Sequence, residues 1–117
     1  MAAPNLLSPT TVTGKTAIAA LTTSLVAIID NPADSGKVIK VNTIRAANIT
    51  STAVTISVCH HRTQHNYMLK DGTLEGAKTL IVTDKNEYVY LEEGDQLMAS
   101  SSTGSSVHLT INYEEIV

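Results

Sequence analysis

Short apolar runs recur along the chain at intervals of about ten residues, and clusters of turn-forming residues separate them. In the segment 53–58, the apolar residues Val54, Ile56 and Val58 alternate with hydroxyl residues, as expected for a strand with one buried face. The segment 107–113 alternates in the same way. No stretch of helical length repeats its apolar residues with a period near 3.6 residues. The pattern therefore predicts strands throughout.

Eight or nine short strands are predicted, in the segments 16–21, 25–29, 38–44, 53–58, 66–70, 78–83, 88–91, 96–99 and 107–113. A slip in the alternation between Val41 and Ile44 predicts a β-bulge. The sequence DNPADSG at 30–36 predicts a turn, and Asp71-Gly72 is expected to end the strand before it. This pattern indicates an all-β fold, an antiparallel β-sandwich of about eight short strands. Jelly-roll and immunoglobulin-like topologies both remain open.

Residues 1–14 lack this alternation and are expected to form an extended N-terminal arm, ahead of a single β-sandwich domain at 15–117. Pro4 and Pro9 remove backbone donors from this stretch, so a regular sheet cannot easily include it. Leu6 and Leu7 are apolar residues inside it. Two interpretations remain open: a disordered terminus, or an arm that docks Leu6, Leu7 and Pro9 on a neighbouring subunit.

Composition narrows the class of protein. With 117 residues, 43% of them apolar and 16% charged, the chain has material for one folded core. The net charge is −3 and the eight Lys and Arg are scattered, so no nucleic-acid partner is expected. No apolar run approaches the length of a membrane span, and no signal peptide is evident, so no membrane association is expected. The single cysteine, Cys59, is expected to be a buried, inert thiol.

Three histidines, His60, His61 and His65, form the densest set of candidate ligands. They follow a predicted strand, so the helical spacing that would place two of them on one face does not apply. A solvent-exposed strand end or hairpin is expected, and the alternative is a subunit contact whose stability changes as the imidazoles titrate near neutral pH. No metal site and no cofactor are expected.

Other motifs carry no chemistry that we would assign. Residues 13–16 end like a phosphate-binding loop, but Pro9 occupies the place of its first glycine, so a turn into the first strand is expected. The acidic residues of 92–95 and 114–115 are expected to lie in solvated turns. Residues 48–50 match the glycosylation sequon and receive no role. Since no nucleophile, base and orienting group occur together, enzyme activity is not expected.

Several segments resemble a group of small virion proteins of tailed phages, including phages of cyanobacteria and other marine bacteria. These segments are SPTTVTGKT at 8–16, YMLK at 67–70, GAKTLIVTDK at 76–85, YLEEGDQL at 90–97 and NYEEI at 112–116. The resemblance covers much of the chain and brings no catalytic motif with it. It implies a structural role on the phage particle.

Within that group, the small compact domain favours a capsid decoration or cement protein that binds the major capsid protein or other virion proteins. A neck, head–tail connector or tail component is the alternative. The resemblance implies a homo-oligomer, with a trimer favoured, located in the virion and made in the cytoplasm of the bacterial host. A carbohydrate- or receptor-binding module is an alternative of another class, for which the four tyrosines would have to supply the aromatic platform.

Overall fold

The computed structural model describes residues 4–117, which form nine antiparallel strands in two sheets packed as a sandwich. The strands are β1 (Val12–Ala20), β2 (Val26–Asp30), β3 (Val38–Asn48), β4 (Val54–Arg62), β5 (Gln64–Leu74), β6 (Thr79–Thr83), β7 (Val89–Leu91), β8 (Gln96–Ser101) and β9 (Val107–Ile116). The predicted all-β sandwich is confirmed. Within this part of the chain, no helix has the length and apolar character needed to cross a membrane.

The strand order corresponds to a jelly roll. The five-stranded sheet has the order β1-β9-β3, and both β6 and β7 pair with the far side of β3. The four-stranded sheet has the order β2-β8-β4-β5. If β6 and β7 are counted as one interrupted strand, consecutive strands alternate between the sheets except at the hairpin of β4 and β5, which lies within the four-stranded sheet, and this is the arrangement of two Greek keys. Of the two topologies that the sequence left open, this is the jelly roll.

The core lies between the sheets and is built of aliphatic side chains. Leu109 and Ile111 of β9, Ile44 of β3, and Ile56 and Val58 of β4 are all fully buried. The alternation predicted for β4 and β9 is thus confirmed, because successive residues of a strand point to opposite faces of a sheet. Close packing of such branched side chains is the main source of stability in a fold of this size.

Strand irregularities account for the places where the predicted boundaries differ from the structure. The register between β3 and β9 shifts between Val41 and Thr43, so the predicted bulge is confirmed. The predicted strand end at 71–72 is wrong, because β5 continues to Leu74. Asp71 adopts a positive φ of 50° and donates its amide to Ser57 Oγ at 3.0 Å, which turns the expected end into a second bulge.

The first strand begins earlier than the pattern indicated. β1 starts at Val12, inside the segment assigned to the arm, and pairs with β9 in an unbroken register from Val12–Ile116 to Ala20–His108. The turn expected at 13–16 is therefore wrong, since these residues are extended within β1. The residues of β1 are mostly small, so the strand shows no clear alternation of large apolar and polar side chains. Its regular pairing with β9 determines its length.

Candidate functional site

The predicted contact residues lie at one end of the sandwich, which we call the arm end. Here β1 and β3 begin and β9 ends, because Val12 pairs with Ile116 and Ile116 pairs with Val38. β4 also ends here, because His61 pairs with Gln96, directly after Asp95, whose carbonyl accepts from the Asn31 amide. The side chain of the fully buried Asn31 connects the two sheets at this end. It donates hydrogen bonds to the carbonyls of Lys37, at 3.0 Å, and Leu91, at 2.9 Å.

The three histidines lie on the hairpin of β4 and β5, where a hairpin was expected. Thr63 forms its tip with a φ of 58°, between the paired residues Arg62 and Gln64. His61 and His65 face each other across the hairpin, and their Nδ1 atoms are 3.1 Å apart. His60 points to the opposite face of β4, so it does not join the other two.

His60 instead contacts a buried carboxylate, Asp95, in the turn before β8. His60 Nε2 lies 2.8 Å from Asp95 Oδ2, and it must be the donor, because an ionised carboxylate only accepts hydrogen bonds. Arg62 donates to both carboxylate oxygens, from Nε at 2.8 Å and from Nη2 at 2.6 Å. The amide of Glu92 donates to Oδ2 at 2.8 Å. Asp95 is only 1% exposed, so the expectation of a solvated turn is wrong for this residue.

The electrostatics of this cluster are those of a structural ion pair. Burial raises the pKa of Asp95, but the hydrogen bonds from Arg62, His60 and the Glu92 amide outweigh it and lower this pKa to about 2. The hydrogen bond to Asp95 in turn raises the pKa of Arg62. A carboxylate with so low a pKa is a poor general base near neutral pH. The cluster therefore fixes the hairpin against the turn rather than moving protons.

Beside the cluster lies an open depression of about 280 Å³, lined by His60, Arg62, Asn66, Tyr67 and Met68. Its volume lies just below the range of about 300–1,000 Å³ that is usual for small-molecule sites. The Lys70 ammonium lies 4.6 Å from the centroid of the Tyr67 ring and covers one of its faces. The depression thus offers one partly covered aromatic ring among polar groups.

The acidic pair at 114–115 also makes contacts that were not expected. Glu115 binds Lys15 of β1 at 3.0 Å and Lys37 at 3.1 Å, and the hydrogen bond from Lys15 is the largest of several effects that together lower its pKa. Glu114 accepts a hydrogen bond from the side-chain amide of Asn42 at 3.2 Å. Both carboxylates are half-buried, so the expectation of a solvated turn is wrong here as well. These contacts tie the end of β9 to its neighbours.

Cys59 is fully buried on β4, as predicted, and its Sγ lies 3.7 Å from His65 Nδ1. Burial raises the pKa of the thiol. Among residues 4–117, no group of three or more His, Cys, Asp or Glu side chains is arranged to hold a metal ion.

We expect the Cys59 thiol to react with a disulfide reagent at least about 100-fold more slowly in the folded protein than in guanidinium, because reaction requires local opening and a thiolate. The absorbance change of the released aromatic thiol at mildly alkaline pH measures both rates. Rapid labelling of the folded protein would show that the side chain is accessible and would contradict its assignment as an inert core thiol.

The two leucines of the arm are exposed in a hydrogen-bonded turn. Ser8 donates its amide to the carbonyl of Asn5 at 3.1 Å, and the Leu7 amide donates to Asn5 Oδ1 at 3.0 Å. Leu7 is 95% exposed and Leu6 is 46% exposed. The local turn thus directs two apolar side chains into solvent. Residues 1–3 of the predicted arm lie outside the described residues.

The base of the arm is fixed to the end of β9. The amides of Thr10 and Thr11 donate to the carbonyl of Val117 at 2.7 and 3.2 Å. Pro9, directly before them, is half-buried. The turn of Leu6 and Leu7 and the following Pro9 therefore lead directly into a segment that is fixed beside Val117, at the same end as the histidine hairpin.

Sequence reasoning missed the central pair of this end, Arg62 and Asp95. Both residues stand in stretches that look solvated, and they lie 33 positions apart. The register between β4 and β8, which sets His61 against Gln96, brings them together. The one signal available was a lone arginine in the hairpin and an acidic turn before the strand that pairs with it.

No protein-family model matches the chain, and no curated protein or solved structure is significantly similar to it.

Proposed function

We propose that this chain is a non-enzymatic structural protein of a tailed-phage particle, a capsid decoration protein that binds the major capsid protein and stabilises the head shell. In this proposal it is made in the cytoplasm of the bacterial host and resides in the virion. The observation that carries the proposal is the arm: Leu6 and Leu7 are exposed on a turn whose base is fixed to Val117. Exposed apolar residues on a fixed base suit docking on a partner surface.

The fold adds support of a weaker kind. Jelly rolls occur in viral capsid proteins and also in lectins, so the topology is compatible with a shell protein without determining one. The buried Asp95 cluster holds the hairpin and the turn together at the arm end, which makes this end a rigid platform. A rigid platform lowers the entropy lost on binding.

The decisive experiment is to incubate the purified protein with undecorated capsids of its phage and to count bound copies by electron cryo-microscopy. Density repeated over the icosahedral lattice would establish the decoration role. Density confined to one vertex or to the tail would favour the alternative, a neck or tail component. Absence of binding to any part of the particle would contradict a virion role.

Deleting residues 1–10 is expected to leave the domain folded and to weaken capsid binding at least about tenfold, since burying one leucine contributes about 1.5–3 kcal/mol. Binding is measured by co-sedimentation with capsids, and folding by thermal unfolding. The double variant Leu6→Ser, Leu7→Ser keeps the backbone contacts of Thr10 and Thr11 and serves as the matched variant. If the truncated chain is unfolded, the arm is part of the core. If it binds capsids as well as the full chain does, the arm is not part of the capsid contact.

A carbohydrate- or receptor-binding role is the second candidate, because Tyr67 and Asn66 line the open depression at the arm end. An aromatic ring beside polar groups is a common sugar-binding arrangement. Glycan-array binding by the purified protein, lost in Tyr67→Ala and kept in Tyr88→Ala, would favour this role. Tyr88 is similarly exposed but lies outside the depression.

A further inference from the structure

The outer edge of β1 has unused backbone hydrogen-bonding groups. Thr11 and Val117 exchange two hydrogen bonds, at 3.2 and 2.9 Å, and the Leu21 amide donates to the Val107 carbonyl at 2.9 Å. Antiparallel pairs alternate between bonded and non-bonded. The amide and carbonyl groups of the odd-numbered residues of β1 therefore form the hydrogen bonds with β9. The residues whose amide and carbonyl groups point away from β9 are Val12, Gly14, Thr16, Ile18 and Ala20.

This edge also lacks the features that usually protect an edge strand. Natural edges carry bulges, prolines or several charges, which prevent pairing with another chain. In the described part of the chain, the edge strands β2, β5 and β6 each have a register shift against their neighbour, and the remaining edge strand, β7, has only three residues. β1 pairs with β9 without any shift over nine residues. It has no proline and a single charge, Lys15, which already pairs with Glu115.

The side chains of this edge are complementary to their own two-fold image. An antiparallel pairing centred on Thr16 aligns all five outward-directed residues and sets Gly14 opposite Ile18. Ile18 is 78% exposed, and a Cβ placed on Gly14 would meet nothing within 4 Å. The isoleucine of each copy can therefore lie over the glycine of the other. Both residues are on the solvent face of the sheet, as their even positions in β1 require.

We propose that β1 is the contact of a two-fold homodimer, in which two β1 strands pair antiparallel about Thr16. The five-stranded sheets of the two copies then form one continuous ten-stranded sheet. This contact is isologous, so it yields a dimer, whereas a trimer would need a different surface. The inference concerns the purified chain alone and does not depend on a phage role.

Sedimentation velocity of the full chain over a range of micromolar concentrations tests the dimer. Ile18→Lys is expected to weaken dimerisation at least about 100-fold, because each dimer loses two contacts of an isoleucine side chain with the partner strand. Ile81→Lys is the matched control. Ile81 is also exposed and lies in the same cross-strand row, through Thr110 and Arg45, but at the opposite edge of the sheet. This variant is expected to dimerise like the wild type.

Cross-linking tests the register. Only the residue on the two-fold axis lies opposite the same residue of the other copy. The Cα atoms of paired residues in a sheet are close enough for a disulfide. Thr16→Cys is therefore expected to form a covalent dimer under mild oxidation. The wild type, with its buried Cys59, and Thr79→Cys on β6 are expected to stay monomeric on a non-reducing gel.

A wild type that stays monomeric at all concentrations would overturn the proposal. The outer edge of β1 would then be available only to a strand of a different protein. A dimer that survives Ile18→Lys and gives no cross-link at position 16 would overturn it in favour of another surface. If Ile18→Lys fails to fold, the presence or absence of the Thr16→Cys cross-link still tests whether β1 is the dimer contact.

Discussion

Replacing Asp95 by alanine is expected to lower the free energy of unfolding at pH 7 by about 2–4 kcal/mol. The substitution leaves the His60 ring and the Glu92 amide, both partly buried, without their acceptor. It also removes the two hydrogen bonds from Arg62 to Asp95, but the arginine side chain is half exposed and recovers part of the loss through water. Urea unfolding followed by circular dichroism measures the difference.

Glu92→Gln is the matched control, because Glu92 lies in the same turn and binds the same arginine at 2.7 Å. Its side chain is exposed, so the substitution is expected to cost less than about 1 kcal/mol. An equal loss for both variants would show that burial of Asp95 is not what makes this contact important.

The same carboxylate predicts a pH dependence of stability. The pKa of Asp95 is about 2 in the folded protein, against an ordinary value of 3.8. A lowered folded-state pKa stabilises the protein above pH 3.8, and this contribution, on the order of 2 kcal/mol, disappears as the pH falls from about 4 towards 2. Asp95→Ala is expected to show a shallower loss of stability over this window than the wild type. Identical slopes would contradict the ion pair.

The alternation of apolar residues was sufficient to predict the sandwich and most of its strands. Val54, Ile56 and Val58 alternate because one face of β4 is buried, and the slip after Val41 corresponds to a real bulge. The strand β1 was harder to recognise, because its residues at 12–20 are small and mostly exposed. Its course depends on pairing with β9, which local propensity does not contain.

The candidate site depended on contacts between distant residues, which the sequence does not show directly. Asp95 stands in an acidic turn that looks solvated, and only the register of β4 against β8 reveals that Arg62 and His60 cover it. The position of the arm at the same end likewise follows from the pairing of β1 with β9. Composition and local turn chemistry cannot supply either fact.

Two asparagines illustrate the same limit. Asn31 belongs to a sequence typical of turns, and Asn48 begins a match to a glycosylation sequon, so neither was expected in the interior. Both are buried where the chain passes from one sheet to the other. Each uses its side-chain amide to donate hydrogen bonds to two backbone carbonyls at this passage.

Asn48→Asp is therefore expected to destabilise the fold by about 3–5 kcal/mol at pH 7, although it changes the size of the side chain very little. The Asn48 amide nitrogen donates to the carbonyls of Thr52, at 2.8 Å, and Leu74, at 3.2 Å. A carboxylate would place negative charge against both oxygens, while the side-chain oxygen that accepts from the Thr50 amide and hydroxyl would stay. The free energy of unfolding from urea titration measures the effect.

Asn66→Asp is the control for this substitution, because Asn66 is exposed and makes one long contact, 3.3 Å, to the carbonyl of Gln64. Its expected cost is below about 0.5 kcal/mol. A small effect of Asn48→Asp would mean that water reaches the two carbonyls. The passage from β3 to β4 would then be held by the strands themselves rather than by this side chain.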